Sequence, residues 1–201
     1  MKALLFDTET SGFINKKLSA DHPEQAWCMQ VGAILADEQE ELEHLNLIVQ
    51  PNGRTCHPMA EKVHGISLEY AEENGLPELD VTEQFGKMMR KADIIVCHNY
   101  DFDWQYVRHM MERNLDNLSD EARSAFYLDL PSFCTMKDKA VKKFVGAKNK
   151  NNQLKWPKLI ELYEKLFDEG FDDAHDAFAD ISATNKCFWE LQRLGIINIT
   201  I

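Results

Sequence analysis

The sequence predicts an α/β fold: a mixed five-stranded sheet whose first three strands are antiparallel, flanked by helices. Short apolar runs that suit buried strands alternate along the chain with segments of helical periodicity. The acidic stretch 37–43 separates two neighbouring apolar runs, as the turn of a hairpin would. With 44% apolar residues, 9 Gly and 6 Pro in 201 residues, and no interdomain linker, we expect one domain over residues 1–201.

Each predicted strand is a short run rich in aliphatic side chains. The predicted strands cover residues 3–6, 29–35, 45–49, 94–97 and 126–130. The predicted helices cover residues 57–74, 81–91, 102–114, 134–144, 156–167 and 175–194, with a polar loop at 146–153. In the helix 102–114, for example, Phe102, Tyr106 and Met110 recur on one face. Gly195 is a plausible helix stop.

The charge is unevenly distributed. The chain has 22 Lys and Arg against 34 Asp and Glu, a net charge of −12. Residues 137–158 contain eight lysines and one acid, a balance of +7, so the remainder carries −19. We do not expect so acidic a chain to coat nucleic acid indiscriminately, because affinity for phosphates grows with the cations that neutralise them. The basic segment either holds a short strand or is a solvated surface.

Several classes of protein are excluded. No apolar stretch approaches the ~20 residues that cross a bilayer, and Asp7 interrupts the N-terminal run too early for a secretory signal. The five cysteines are odd in number and scattered, which indicates reduced thiols in a cytoplasmic protein rather than disulfides or a structural zinc site.

Two acids follow the first predicted strand. Asp7 and Glu9 are two residues apart, so on a strand they point to the same side. Two carboxylates this close repel each other unless a cation lies between them. The pair therefore suits Mg²⁺ or Mn²⁺, which prefer oxygen ligands, although such a pair alone is weak evidence in an acidic chain.

Two further acids follow the fourth strand, where α/β proteins commonly bind ligands. Asp101 and Asp103 lie roughly 200° apart on a helix, so only one of them faces such a site. Helix capping is the alternative role for Asp101.

The last long helix opens with a histidine and an acid. His175 converges with Asp180 best if it precedes the first helical turn. Its imidazole beside metal-bound carboxylates suits a general base, whereas a capping or surface role is the alternative.

Together these residues resemble a known family. Asp7-x-Glu9, His98-Asn99-x-x-Phe102-Asp103 and His175-x-Ala177-x-x-Asp180 are similar to the three ordered Exo motifs of the DnaQ-like 3′→5′ exonucleases. The branch is DEDDh, named for four acids and a histidine, and its fold is ribonuclease H-like. The elements 63–66, 129–136 and 158–163 also resemble family segments, so the likeness covers nearly the whole chain.

The resemblance implies two-metal hydrolysis of phosphodiester bonds, which releases nucleoside monophosphates from a 3′ end. Asp7 would bridge two Mg²⁺ or Mn²⁺ ions, Glu9 and Asp180 would complete one metal site, and Asp103 would support the other. His175 would take the proton from the attacking water.

The resemblance also implies contacts to the terminal nucleotide. The backbone around Thr8, Thr10 and Ser11 is expected to meet it. Phe13 or His64 would pack on the last base or sugar. The alternatives are a core role for Phe13 and a turn role for His64.

Other functions remain open at this point. Single-stranded or frayed DNA is the favoured substrate, and RNA 3′-end trimming on the same fold is the first alternative. A catalytically idle binding or polymerase-accessory module would have no need for the repelling acids, and a glycoside hydrolase would leave two motifs unexplained. Neither a polymerase partner nor a homodimer can be derived from the sequence.

Overall fold

A computed structural model describes residues 1–171 and 177–200. Its centre is one five-stranded sheet, flanked on both faces by helices. The strands are β1 (Ala3–Thr10), β2 (Cys28–Ala36), β3 (Glu41–Ile48), β4 (Ile94–Cys97) and β5 (Ser132–Cys134). The helices are α1 (Pro58–His64), α2 (Leu68–Asn74), α3 (Glu78–Met89), α4 (Tyr100–Asn114), α5 (Asp120–Ala125), α6 (Lys139–Val145), α7 (Leu159–Phe167) and α8 (Ala177–Arg193).

The sheet has the order β3-β2-β1-β4-β5. Strands β1, β2 and β3 pair antiparallel, whereas β4 and β5 continue the sheet parallel to β1. The predicted α/β class and the antiparallel first three strands are thereby confirmed. Because β1 and β4 are parallel neighbours, the residues that follow them meet at the same edge of the sheet.

Alternation along β1 divides the core into two layers. Leu4 and Phe6 pack with α3 and α4 on one face of the sheet. Ala3 and Leu5 pack with α7 and α8 on the other face. Asp7 continues the second set, since successive side chains on a strand alternate between faces.

The fifth strand is not at 126–130, as predicted, but at Ser132–Cys134. Phe126, Leu128 and Leu130 pack against the core from a turn and an irregular segment. Their burial, rather than strand pairing, explains the alternating apolar pattern. Residue Phe133 of β5 pairs with Val96 at the edge of the sheet.

Three predicted helices are shorter than expected. The segment 57–74 is broken at Gly65, whose φ of 73° ends α1, and α2 then starts after Ser67. Helix α6 begins only after Asp138, whose carboxylate accepts hydrogen bonds from the amides of Ala140 and Val141. Helix α7 likewise begins at Leu159, after Lys158.

Two further findings concern cysteines and membranes. All five cysteines are free thiols, and Cys28, Cys97 and Cys187 are buried. Among the described residues, no helix is long and apolar enough to cross a bilayer.

Candidate active site

A cavity of about 510 Å³ opens where β1 and β4 end. Its lining includes all four acids that the sequence singled out as metal ligands: Asp7, Glu9, Asp103 and Asp180. They come from three separate elements, because β1 supplies two, α4 supplies one and α8 supplies one. The fold thus brings together residues that are far apart in the sequence.

Asp103 is fixed by the strand beside it. Its Oδ1 accepts hydrogen bonds from the Thr8 amide at 3.1 Å and from the Thr8 hydroxyl at 2.8 Å. Its side chain is only 2% exposed. Asp101, by contrast, is exposed and pairs with Lys137 at 2.6 Å. The helix therefore turns Asp103, and not Asp101, towards the cavity.

Burial and mutual repulsion make the acids hard to ionise. Burial raises the pKa of Asp7 well above its ordinary value. The charges of Asp103, Glu9 and Asp180 raise this pKa further. Burial also raises the pKa of Asp103 to about 7, although the hydrogen bonds from Thr8 lower it. A cation among these carboxylates would offset both effects.

Close packing lets α8 approach β1. Gly32 pairs directly with Asp7 across the β1–β2 ladder. A Cβ at Gly32 would lie 3.1 Å from the carbonyl oxygen of Ala177 and 3.2 Å from Cδ1 of Ile181. A Cβ here would require these neighbours to move by a few tenths of an ångström, so Gly32 favours the close approach by which α8 carries Asp180 to the cavity.

The backbone after Glu9 is held in place from several sides. The Ser11 hydroxyl accepts from the Trp27 amide at 2.9 Å, and the Ser11 amide donates to the Trp27 carbonyl at 3.0 Å. The Tyr106 hydroxyl donates to the Gly12 carbonyl at 2.6 Å. Thr10 and Ser11 are both buried. The amides of Thr8 and Ser11 thus already donate within the protein.

Phe13 and His64 differ in their surroundings. The core alternative for Phe13 is wrong, since the residue is 88% exposed and its ring lies 6.3 Å from that of Phe102, which lines the cavity. Nδ1 of His64 accepts from the Ile66 amide at 3.0 Å, within the turn after α1. Burial lowers the pKa of His64.

His175, the predicted general base, lies outside the described residues. The described part of α8 begins two residues later, at Ala177. Among the described residues, no three His, Cys, Asp or Glu side chains are already grouped closely enough to hold a metal ion. The four acids share a cavity without forming a closed coordination shell.

Further residues of the cavity lining were not predicted as site residues. These are Met136, Trp156, Pro157, Leu159, Ile160 and Phe171, next to Lys158. Partly buried His98 holds this part of the lining in place, since Nε2 lies 3.2 Å from the Pro157 carbonyl and Nδ1 lies 2.9 Å from the Thr135 hydroxyl. Burial lowers the pKa of His98 to about 4, so the ring is neutral at pH 7 and donates through Nε2.

A second cavity, of about 590 Å³, lies between the loop 20–25 and the start of α3. Three of its charged side chains are paired with one another, since Glu78 accepts from Arg54 at 2.7 Å and from Arg113 at 2.6 Å. Burial alone raises the pKa of Glu78, but the two arginines bring it below its ordinary value. This arrangement ties α3 to α4 and leaves the acidic cavity as the candidate active site.

Comparison with known proteins gives a family and a set of similar folds. A family model described as "RNase_T: Exonuclease" matches residues 4–188. No curated protein is similar enough in sequence to count as a relative. Three solved structures resemble this chain over 96% of its length.

All three are exonuclease I. The Escherichia coli enzyme in complex with a dT13 oligonucleotide has a TM-score of 0.75 at 21% identity, over 96% of this chain and 42% of that one. The zinc-bound complex of the same enzyme with single-stranded DNA has a TM-score of 0.70 at 21% identity, over 96% of this chain and 40% of that one. The moderately thermophilic enzyme from Methylocaldum szegediense has a TM-score of 0.69 at 20% identity, over 96% and 40%.

The chain thus spans about two fifths of the length of these enzymes, and at such identities the likeness concerns the fold. The family model, in contrast, covers most of the chain, including β1, α4 and the part of α8 that carries Asp180. The chain belongs to the RNase_T exonuclease family, as its three motifs led us to expect.

Proposed function

We propose that this chain, acting as one domain over residues 1–201, is a metal-dependent 3′→5′ exonuclease. It removes nucleoside monophosphates from the 3′ end of single-stranded or frayed nucleic acid, with DNA favoured over RNA. The observation that carries the proposal is the convergence of four carboxylates from β1, α4 and α8 on one cavity. Exonuclease I structures with dT13 and dA16 oligonucleotides support a DNA substrate.

The donor set fits two divalent cations. All four predicted ligands are carboxylates, and hard cations such as Mg²⁺ or Mn²⁺ prefer oxygen ligands. Burial and neighbouring charges raise the pKa of Asp7, and bound cations would relieve this repulsion. Asp7 would bridge the ions, Glu9 and Asp180 would complete one site, and Asp103 would support the other.

The ions supply stabilisation of the attacking and leaving oxygens of the phosphodiester. The chain's own residues do the remaining work. The two hydrogen bonds from Thr8 hold Asp103 in one orientation. His175 accepts the proton of the attacking water, and its replacement by Ala is expected to lower kcat by roughly 10²–10⁴-fold, the usual share of general base catalysis.

The terminal nucleotide enters beside the end of β1. Exposed Phe13, next to Phe102 at the cavity, stacks on the last base, because aromatic stacking tolerates any base. Thr8, Thr10 and Ser11 shape the floor on which this nucleotide lies, and His64 supports the same floor from the turn after α1.

The test is a cleavage assay with 5′-labelled single-stranded DNA and RNA of one sequence, in Mg²⁺, Mn²⁺ or EDTA. We expect a ladder that shortens from the 3′ end, requires metal and forms faster on DNA. Asp7→Ala and Asp180→Ala should abolish it while the protein stays folded. Near-normal turnover by either variant would refute the metal assignment. Metal-independent binding without cleavage would instead indicate the idle binding module, and faster RNA degradation would indicate RNA trimming.

A further inference from the structure

The basic segment 137–158, called the lysine strip below, borders the candidate active site. It consists of α6, a short hairpin closed by a bridge between Lys148 and Leu154, and an extended end. That end, at Trp156, Pro157 and Lys158, lines the same cavity as the four acids. This inner end of the strip therefore forms part of the rim of the site.

The inner end of the strip is firmly attached. Lys155 pairs with Glu161 at 2.6 Å, and the Lys158 amide donates to the same carboxylate at 2.8 Å. The Lys155 amide also donates to the Ala147 carbonyl at 2.9 Å, which closes the hairpin. His98 holds the Pro157 carbonyl from the sheet side. These contacts give the strip a fixed position relative to the cavity.

Most of the strip's charge is left uncompensated. Lys137 and Lys155 are paired with acids, and Lys142 Nζ lies 4.3 Å from the centre of the Trp156 ring. The other five lysines make no ion pair with any residue in the described ranges: Lys139, Lys143, Lys148, Lys150 and Lys158. Trp156, whose ring contacts Lys142, is 41% exposed.

Unpaired lysines together with an exposed tryptophan suit the binding of a single-stranded nucleic acid. Ammonium groups pair with successive phosphates, and an exposed indole stacks on an unpaired base. A duplex offers no free base face to Trp156. Outside the strip the chain carries −19, so phosphates are repelled from the rest of the surface.

We propose that the lysine strip binds the single strand on the 5′ side of the terminal nucleotide and leads it into the cavity, with Trp156 stacked on a base at the rim. This inference rests on the proposed function, because the bound strand is the substrate of that reaction. Affinity for long strands would then come from the lysine strip, a surface separate from the carboxylates.

Two triple variants, each of which loses three positive charges, test this proposal. The strip variant is Lys143→Gln, Lys148→Gln and Lys150→Gln. The control variant is Lys2→Gln, Lys87→Gln and Lys91→Gln, which changes lysines next to the start of β1 and on or after α3. KM and kcat are measured across a salt series for a dinucleotide and for a strand of about 20 nucleotides, which is long enough to follow the strip.

For the strip variant we expect KM for the long strand to rise about 10- to 100-fold near 0.1 M salt. The slope of log KM against log salt should fall by about 2, since each lost phosphate contact removes about 0.7. Values of kcat, and KM for the dinucleotide, should not change, and the control variant should match the wild type.

Three outcomes would overturn the inference: no change in KM, an equal rise in the control variant, or an equal rise for the dinucleotide. If the wild type cleaves nothing, the proposed function fails. The strip is then judged by the affinity of the uncleaved strand, measured by fluorescence anisotropy over the same salt series. Loss of binding in the strip variant alone supports the inference. Unchanged binding in the strip variant refutes it.

A second measurement isolates the stacking contact. Trp156→Leu should weaken binding of the long strand without changing the salt slope, because a neutral ring neutralises no phosphate. Trp156→Phe should restore most of that affinity. Equal losses in both variants would argue against stacking.

Discussion

Two acids on the first turn of α4 lie two residues apart and have opposite environments. Asp103 is buried against Thr8, whereas Asp101 is exposed and pairs with Lys137. The helical period implied that only one of the two acids faces the site, and the resemblance to the family indicated Asp103. In the structure Asp103 lines the cavity, and Asp101 is not among the lining residues.

Replacing the exposed acid should therefore be mild. We expect Asp101→Ala to keep activity within about fivefold of the wild type, because an exposed ion pair is worth about 1 kcal/mol or less. Asp103→Ala should be inactive. Steady-state cleavage rates compare the two variants, and an Asp101 variant as inactive as the Asp103 variant would contradict the assignment.

The raised pKa of Asp103 predicts how stability depends on pH when metal is absent. Its pKa is about 7 in the folded chain and 3.8 ordinarily, so folding favours the protonated form. The resulting stability is fully present below pH 3.8 and is lost as pH rises through 7. Each pKa unit corresponds to about 1.4 kcal/mol.

Asp103→Asn should remove much of this dependence, because the amide oxygen still accepts both hydrogen bonds from Thr8 and never ionises. We expect the wild type in EDTA to lose Tm between pH 6 and pH 8, and the variant to lose clearly less. Thermal unfolding at both pH values measures this. Parallel losses in the two proteins would show that Asp103 is not the group responsible.

At the scale of elements, the contact between α8 and β2 sets the position of Asp180. Gly32→Ala places a Cβ 3.1 Å from the Ala177 carbonyl oxygen, so the start of α8 must shift. We expect kcat to fall about tenfold or more, since small misplacements of catalytic groups are costly.

Gly86→Ala is the matched control, because its Cβ would lie 3.0 Å from the Cβ of Ala122, where α3 packs on α5 away from the cavity. Both variants should lose Tm, and only the Gly32 variant should lose kcat beyond what its unfolded fraction explains. Unchanged kcat in folded Gly32→Ala would show that α8 tolerates the shift.

Hydrophobic periodicity predicted which helices and strands are present better than it predicted the residues at which they begin and end. The buried strand Ile94–Cys97 matches the predicted 94–97, because an aliphatic run this short suits a buried strand better than a helix. The fifth strand was misplaced because Phe126, Leu128 and Leu130 are buried by core contacts without pairing. The break at Gly65 was predictable from its residue type, since a left-handed φ favours glycine.

At the scale of the molecule, the four carboxylates would link metal binding to folding. Two divalent cations would add +4 to a cavity lined by four acids, and cations that bind only the folded chain would stabilise it. At a hundredfold excess over Kd the gain is about 3 kcal/mol, or roughly 5–10 °C in Tm for a chain of this size.

Differential scanning fluorimetry with Mg²⁺, against NaCl of equal ionic strength, measures this gain. Asp7→Asn should lose most of the rise, since Asp7 is the proposed bridging ligand. An equal rise in both proteins would mean that Mg²⁺ acts elsewhere on the acidic surface.

The candidate site was predictable where it depends on short motifs and not where it depends on long-range contacts. Asp7, Glu9, Asp103 and Asp180 occupy motif positions and line the cavity. The wall at Trp156 has no local signal, because it is placed by His98, which is 59 residues away from Pro157 in the sequence. Only the folded chain shows that the lysines adjoin the acids.

The dispersed origin of the carboxylates has a consequence during biosynthesis. Asp7 lies on β1, whereas Asp180 is synthesised only after the five described strands and the described helices α1 to α7. A nascent chain therefore holds an incomplete ligand set until α8 emerges and packs onto the sheet. The proposed nuclease activity begins only after this step.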